Sequence, residues 1–142
     1  MKENDPRRAL IANNVKLALS ELGRLCGDEF GLDDASVDWV DGFIERQRVR
    51  ADVQRDPGAL LSVIGSYLGE AIIVATGGHW AEDAQAAIVV EFANGDWCAP
   101  FAKVAKQFEV GHAGGESIAE FYDFSVNFVA TGKIRHMAGS TN

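Results

Sequence analysis

Residues 56–80, DPGALLSVIGSYLGEAIIVATGGHW, constrain this chain more than any other stretch. Leu61, Ile64, Leu68, Ile72 and Ala75 recur at helical spacing, and Val63, Ile73 and Val74 carry the apolar surface round to the far side. A helix that is apolar all round predicts a buried element that the remaining chain must wrap. Its ends are punctuated. Asp56 suits the N-cap and Pro57 the first helical position, where a missing N–H costs nothing. Gly77 and Gly78 supply the left-handed stop. Gly65 and Gly69 sit four apart inside the helix, and each costs about 1 kcal/mol relative to alanine there. That cost predicts close approach of another backbone along the flank. The longest apolar run, residues 68–76, is broken by Gly69 and Glu70 and falls short of the ~20 residues a membrane span needs.

The flanking segments read as elements that cover this helix. Asp5-Pro6 opens a first helix over residues 6–26, with Ile11, Val15, Ala18, Leu22 and Leu25 on one face and Gly27 as its stop. A second helix spans 34–50, capped by Asp33 or Asp34, with Val37, Val40, Phe43 and Ile44 inward and Trp39 at the edge. After the apolar helix, residues 79–82, 87–92 and 96–99 read as strands. Asn94-Gly95 predicts a two-residue hairpin turn, pairing Phe92 with Trp97 and placing Phe92, Trp97, Val90 and Ile88 on one face. Pro100 opens a fourth helix with Phe101, Val104 and Phe108 inward and Lys103, Lys106 and Gln107 outward. Residues 112–116 read as a flexible loop. Ser117-Ile118-Ala119-Glu120 is a capping box that starts a fifth helix bearing Ile118, Phe121, Tyr122, Ser125, Phe128 and Val129. The expected fold is α+β: three N-terminal helices, a three-stranded antiparallel meander and two C-terminal helices. Residues 1–132 form one domain and 133–142 a flexible tail.

Charge and cysteine usage exclude several functions. A net charge of −8 opposes binding to a phosphate backbone. The charged N-terminus MKENDPRR leads into no apolar signal region, and Cys26 and Cys98 form no CxxC, so two reduced thiols in a cytoplasmic protein are expected. His79, His112 and His136 have no metal-ligand spacing and no HExxH occurs, so no metal is expected. The serines lie in no GxSxG elbow, and the glycines form neither a dinucleotide fingerprint nor a P-loop, so no cofactor is expected. Cys98 has no histidine fixed beside it to activate it as a nucleophile.

Taken together and in order, SVDWVDGFIERQR, IGSYLGEAI, GGHW, PFAKVAKQFEVG and ESIAEFY resemble a domain-of-unknown-function family of small bacterial proteins, over residues 36–122. The resemblance implies a small cytoplasmic α+β domain and supplies no catalytic residue. The sequence departs from that pattern at His112-Ala113-Gly114-Gly115, which is longer than the short acidic turn expected there.

Glu70 is the leading candidate for chemistry, because it interrupts the apolar helix, and a buried carboxylate must be paired or protonated. Either it serves structure, pairing with a cation or the Gly77-Gly78 turn, or it forms a binding site with Trp80, with Lys103 as ion partner. Arg46, Arg48 and Arg50, at the end of the second helix, either complement the helix dipole or form a patch for an anion or an acidic partner. The missing catalytic constellation and the acidic charge predict a non-catalytic protein-interaction module, partner-binding or toxin-neutralising, whose partner is another protein or a second copy. The alternative is a small-molecule binder or hydrolase with a cleft near Glu70 and Trp80.

Overall fold

Both N-terminal caps act as expected. Asp5 Oδ1 accepts the Arg7 amide at 2.9 Å ahead of α1 (Pro6–Cys26), and Asp33 Oδ1 accepts the Ser36 amide at 2.8 Å ahead of α2 (Asp34–Arg48). Each satisfies an N–H that a helix start leaves unpaired. The apolar helix is α3 (Gly58–Thr76), closed by the Gly77 amide on Ile73 O at 2.8 Å. There follow β1 (His79–Glu82), β2 (Ile88–Glu91), β3 (Trp97–Cys98), α4 (Pro100–Val110), a 3-10 turn (His112–Gly114) and α5 (Ile118–Thr131). The strands form an antiparallel sheet in the order β1-β2-β3, giving the expected α+β architecture. This computed structural model describes residues 1–27, 29–50 and 57–131. Asp56, expected as a cap, and the expected tail at 133–142 lie outside the described residues.

α1, α4 and α5 all pack on α3. Ile64, Tyr67, Leu68 and Ile72 of α3 are fully buried, against Ile11 and Leu22 of α1, Val37, Val40 and Ile44 of α2, Val104 of α4 and Ile118 of α5. Enclosure is confined to the middle of α3. Val74 and Ala75 are exposed, as is Leu25 of α1. By length and composition alone, α3 is long and apolar enough to cross a membrane, which the broken apolar run did not suggest; here protein surrounds its middle turns.

The two α3 glycines admit side chains rather than a neighbouring backbone. A Cβ on Gly65 would lie within 3.0 Å of three ring atoms of Phe101, and one on Gly69 within 2.8 Å of three ring atoms of Trp80. Those rings touch each other, with centroids 5.9 Å apart. Gly65 and Gly69 are therefore notches for two aromatics that seat α4 and β1 on the central helix.

The sheet register differs from expectation by one residue. Glu91 pairs with Trp97 and Val90 with Cys98. The Phe92 amide donates to Asp96 O at 2.8 Å and the Gly95 amide to Phe92 O at 2.9 Å, so the loop holds three residues, with Gly95 at φ 91°. A type I turn closed by a left-handed residue replaces the two-residue turn. The slip moves Trp97 to the face of Glu91 and His79, where it is 53% exposed, while Phe92 and Val90 stay in the core. The β1–β2 turn repeats this geometry: Asp83 N donates to Ala87 O and Ala86 N to Asp83 O, with Ala86 in the left-handed position at φ 65°.

Candidate functional site

Asn14 on α1 marks where α1 meets α3. Its Nδ2 donates to Ser62 Oγ at 3.0 Å and Ser66 Oγ at 3.2 Å, while Ser66 Oγ donates to Ser62 O at 2.9 Å. The rest of this contact is apolar. α1 and α4 both run antiparallel to α3 and leave a groove between them, floored by α3. Two cavities lie end to end along it. One of about 570 Å³ is bordered by Leu17, Leu22, Leu60, Val63 and Phe108, with Glu21 and Arg48 on its rim. The other, about 360 Å³, is bordered by Leu10, Ile11, Ile88 and Phe101, with Arg7 and Asn14 on its rim. Arg7 is already committed: its Nη2 lies 2.7 Å from Asp5 and 2.5 Å from Glu82, and its Nη1 donates to Ala86 O at 3.2 Å, tying α1 to the β1–β2 turn.

Glu70 and Trp80, paired by the sequence reading, do meet. Trp80 Nε1 donates to Glu70 Oε1 at 3.1 Å, and the indole fills the Gly69 notch. Glu70 is half-buried, and its carboxylate aims a core tryptophan. Lys103 is not its partner. Lys103 Nζ lies 2.6 Å from Glu116 and 5.7 Å from the centre of the Phe121 ring, clamping α4 to the start of α5. Neither Glu70 nor Trp80 borders either of these cavities.

The three arginines do not act together. The Arg46 guanidinium stacks 5.3 Å from the Trp39 ring centre. Arg48 Nε donates to Phe108 O at 3.1 Å, supplying a cation to the C-terminus of α4. Arg50 is exposed just past α2.

The structure also holds a polar cluster that the sequence reading did not assemble. Asp41, on the buried face of α2, accepts from Ser117 Oγ at 2.8 Å and the Ala119 amide at 3.2 Å, and its other oxygen lies 2.5 Å from His112 Nε2. Gln107, expected outside, is fully buried: its Oε1 accepts the Ile118 amide at 2.7 Å and its Nε2 donates to Glu45 Oε2 at 2.9 Å. Ser117 Oγ accepts the Glu120 amide at 3.2 Å, the forward half of the capping box. Residues 112–114, expected as open loop, form a 3-10 turn tied to α2, with the His112 amide 3.2 Å from Glu45 Oε1. The signal was a carboxylate at 41, in register with Val37 and Ile44, and an amide at 107, in register with Val104.

An Asp, a His and a Ser invite comparison with acyl-transfer machinery, but the connectivity is wrong. The hydroxyl donates to the carboxylate, not to the imidazole, so the histidine is not placed to take its proton as it is in a triad. The cluster instead accepts the first three amides of α5 and closes that helix against α2 and α4. Cys98 is no better placed: burial pushes its thiol up to about 11, away from the reactive thiolate, with a hydrogen bond to Ser125 opposing this in part. Among the described residues no group of His, Cys, Asp and Glu is arranged to hold a metal ion. No protein-family model matches the chain, and no curated protein or solved structure is significantly similar to it.

Proposed function

We propose that the chain is a non-catalytic protein-interaction module, partner-binding or toxin-neutralising, that receives an amphipathic helix of a partner protein in the α1–α4 groove. The observation that carries this reading is the groove's apolar edge. Leu10 and Leu17, one above the other on α1, are 56% and 48% exposed beside the two cavities. Scattered exposed leucines need no explanation, but two aligned on one edge of an apolar cleft form a patch. The cavities follow α1 over residues 7–22, about 24 Å at 1.5 Å per residue, a length that suits helix-in-groove recognition. The net charge of −8 favours a partner helix whose outer face is basic. The reading places the protein in the cytoplasm, in keeping with its free Cys26 and Cys98 and with the resemblance of residues 36–122 to small bacterial proteins. It calls on no cofactor, metal or nucleic acid. A small-molecule or hydrolytic role at Glu70 and Trp80 has less support, since the indole already holds that carboxylate.

The test is titration with a synthetic amphipathic helix of roughly 16 residues, leucine on one face and lysine on the other, followed by fluorescence anisotropy. Saturable binding that the uncharged variant Leu10→Gln/Leu17→Gln weakens by about tenfold, with its melting curve retained, is expected. Binding unaffected by that variant would locate recognition elsewhere. A wild-type dimer in sedimentation that the same variant dissociates would make the occupant a second copy and overturn the partner reading.

A further inference from the structure

At the far end of α3 from the groove, a separate cavity of about 340 Å³ opens between the start of α2, the end of α3 and the middle of α5. Its walls are apolar, from Leu32, Val74 and Val126, and Val74 is 61% exposed. Its rim is acidic, from Asp33, Asp34 and Asp123. Among the described residues none of these carboxylates, nor Asp38 close by, takes part in an ion pair. Asp33 spends one oxygen on the Ser36 amide. Asp38 is held above the usual carboxylate range, by burial first and then by the charges of Asp123, Asp34 and Asp41. The local field is negative, and no cation of the described chain relieves it.

Tyr122 lines the same cavity. It is 7% exposed, yet its hydroxyl has no hydrogen-bond partner among the described residues. The other buried tyrosine behaves differently, Tyr67 donating to Gly31 O at 2.7 Å. The Tyr122 hydroxyl is not an enclosed atom, and the cavity it lines gives it access to water. Burial and then the charges of Asp34, Asp33 and Asp123 raise the Tyr122 phenol, which sets its oxygen in the field of the acidic rim. An unclaimed phenol oxygen, uncompensated carboxylates and apolar walls complement one kind of group: a cationic donor on a hydrocarbon stem.

We propose that this cavity is a docking pocket for a lysine or arginine side chain presented by a segment of a protein partner, its stem against Val74 and Val126 and its cation among Asp34, Asp123 and the Tyr122 hydroxyl. The proposal stands apart from the groove and uses none of its residues. It is tested by amide NMR titration of the full chain with a capped pentapeptide, a central lysine between leucines, and its norleucine analogue. The lysine peptide is expected to shift Val74, Asp123 and Val126 selectively. Asp34→Asn/Asp123→Asn is expected to weaken it by about tenfold, and the isosteric Tyr122→Phe to weaken it severalfold, with melting curves unchanged. Three results would overturn the proposal: equal shifts with the norleucine peptide; shifts scattered over the acidic surface and indifferent to the aspartate variants; or n-butylamine saturating at the peptide's concentration, which would make this a small-amine pocket.

Discussion

Replacing Gly69 by alanine tests the packing on which the fold turns. On helix propensity alone the change should stabilise α3 by about 1 kcal/mol. The structure predicts the opposite sign. The new methyl would lie within 2.8 Å of three atoms of the Trp80 ring, with Cη2 nearest, and carbon atoms settle at roughly 3.5–4.0 Å, so the indole must retreat by about 1.5–2 Å at that atom. It has little room to do so, being held by Glu70 at 3.1 Å and packed on Phe101. Overpacking costs about 1–3 kcal/mol and loss of the Trp80–Glu70 hydrogen bond about 0.5–1.5 kcal/mol. Less the propensity gain, Gly69→Ala should destabilise by roughly 1–3 kcal/mol, or about 3–10 °C in Tm for a chain of this size. Urea denaturation followed by tryptophan fluorescence measures it. A double-mutant cycle with Trp80→Phe, whose shorter ring cannot reach the new methyl, should show at least about 1 kcal/mol of favourable coupling. A Gly69→Ala protein as stable as wild type, or additivity in the cycle, would refute the notch.

Further outcomes can be checked on the same protein. Ala86 holds a left-handed conformation at φ 65°, so Ala86→Gly should raise stability by about 0.5–1 kcal/mol in chemical denaturation, the relief of strain exceeding the added chain entropy. Cys98, with its thiol near 11, should carry about one thiolate per thousand at pH 8, so disulfide-exchange labelling should take Cys26 first and reach Cys98 only as the protein opens. Hydrogen bonds from the Arg7 side chain and amide depress Asp5 from an ordinary 3.8 to about 2. Its contribution is therefore complete above about pH 4 and is lost as pH falls toward 2, so Asp5→Asn should flatten that part of the stability–pH curve and lower the neutral plateau by the amount the wild type loses on acidification.

Regular elements were legible in the sequence because each carried its own local signal. Asp5-Pro6, Asp33 and Ser117 announced helix starts, and the apolar periods of α1, α2 and α5 announced which faces turn inward. The errors arose where the deciding partner was distant in sequence. Asn94-Gly95 fits a two-residue turn as readily as the three-residue one, and the two registers differ in which side chain faces the core: the observed one turns Cys98 inward and exposes Trp97. Gly65 and Gly69 announced a close approach, but not that aromatic rings from α4 and β1 fill the space. Glu70 and Trp80, read from the sequence as a candidate binding pair, meet through the indole hydrogen bond across the helix stop at Gly77. Lys103 was assigned to the wrong acid, since its true partner, Glu116, sits past a turn whose course depends on Asp41 and Glu45.

Where the polar groups of this chain are used bears on what it can do. Asp5 and Asp33 close the starts of α1 and α2, and Arg48 the end of α4; Gln107, Asp41 and Ser117 take the first three amides of α5. Glu70 aims Trp80 and Lys103 neutralises Glu116. Asp41 and Gln107, both buried, are satisfied by backbone amides together with neighbouring side chains, which is what helix ends inside a small core demand. Chemistry needs the reverse: a nucleophile or acid held with its reacting atom unspent. Among the described residues, groups without such a commitment line the leucine edge of the groove and, as carboxylates and a phenol, the smaller cavity. Both proposed docking surfaces are built from these groups. For that reason the informative variants are Leu10, Leu17, Asp34, Asp123 and Tyr122, which alter those surfaces and leave the helix-capping clasp untouched.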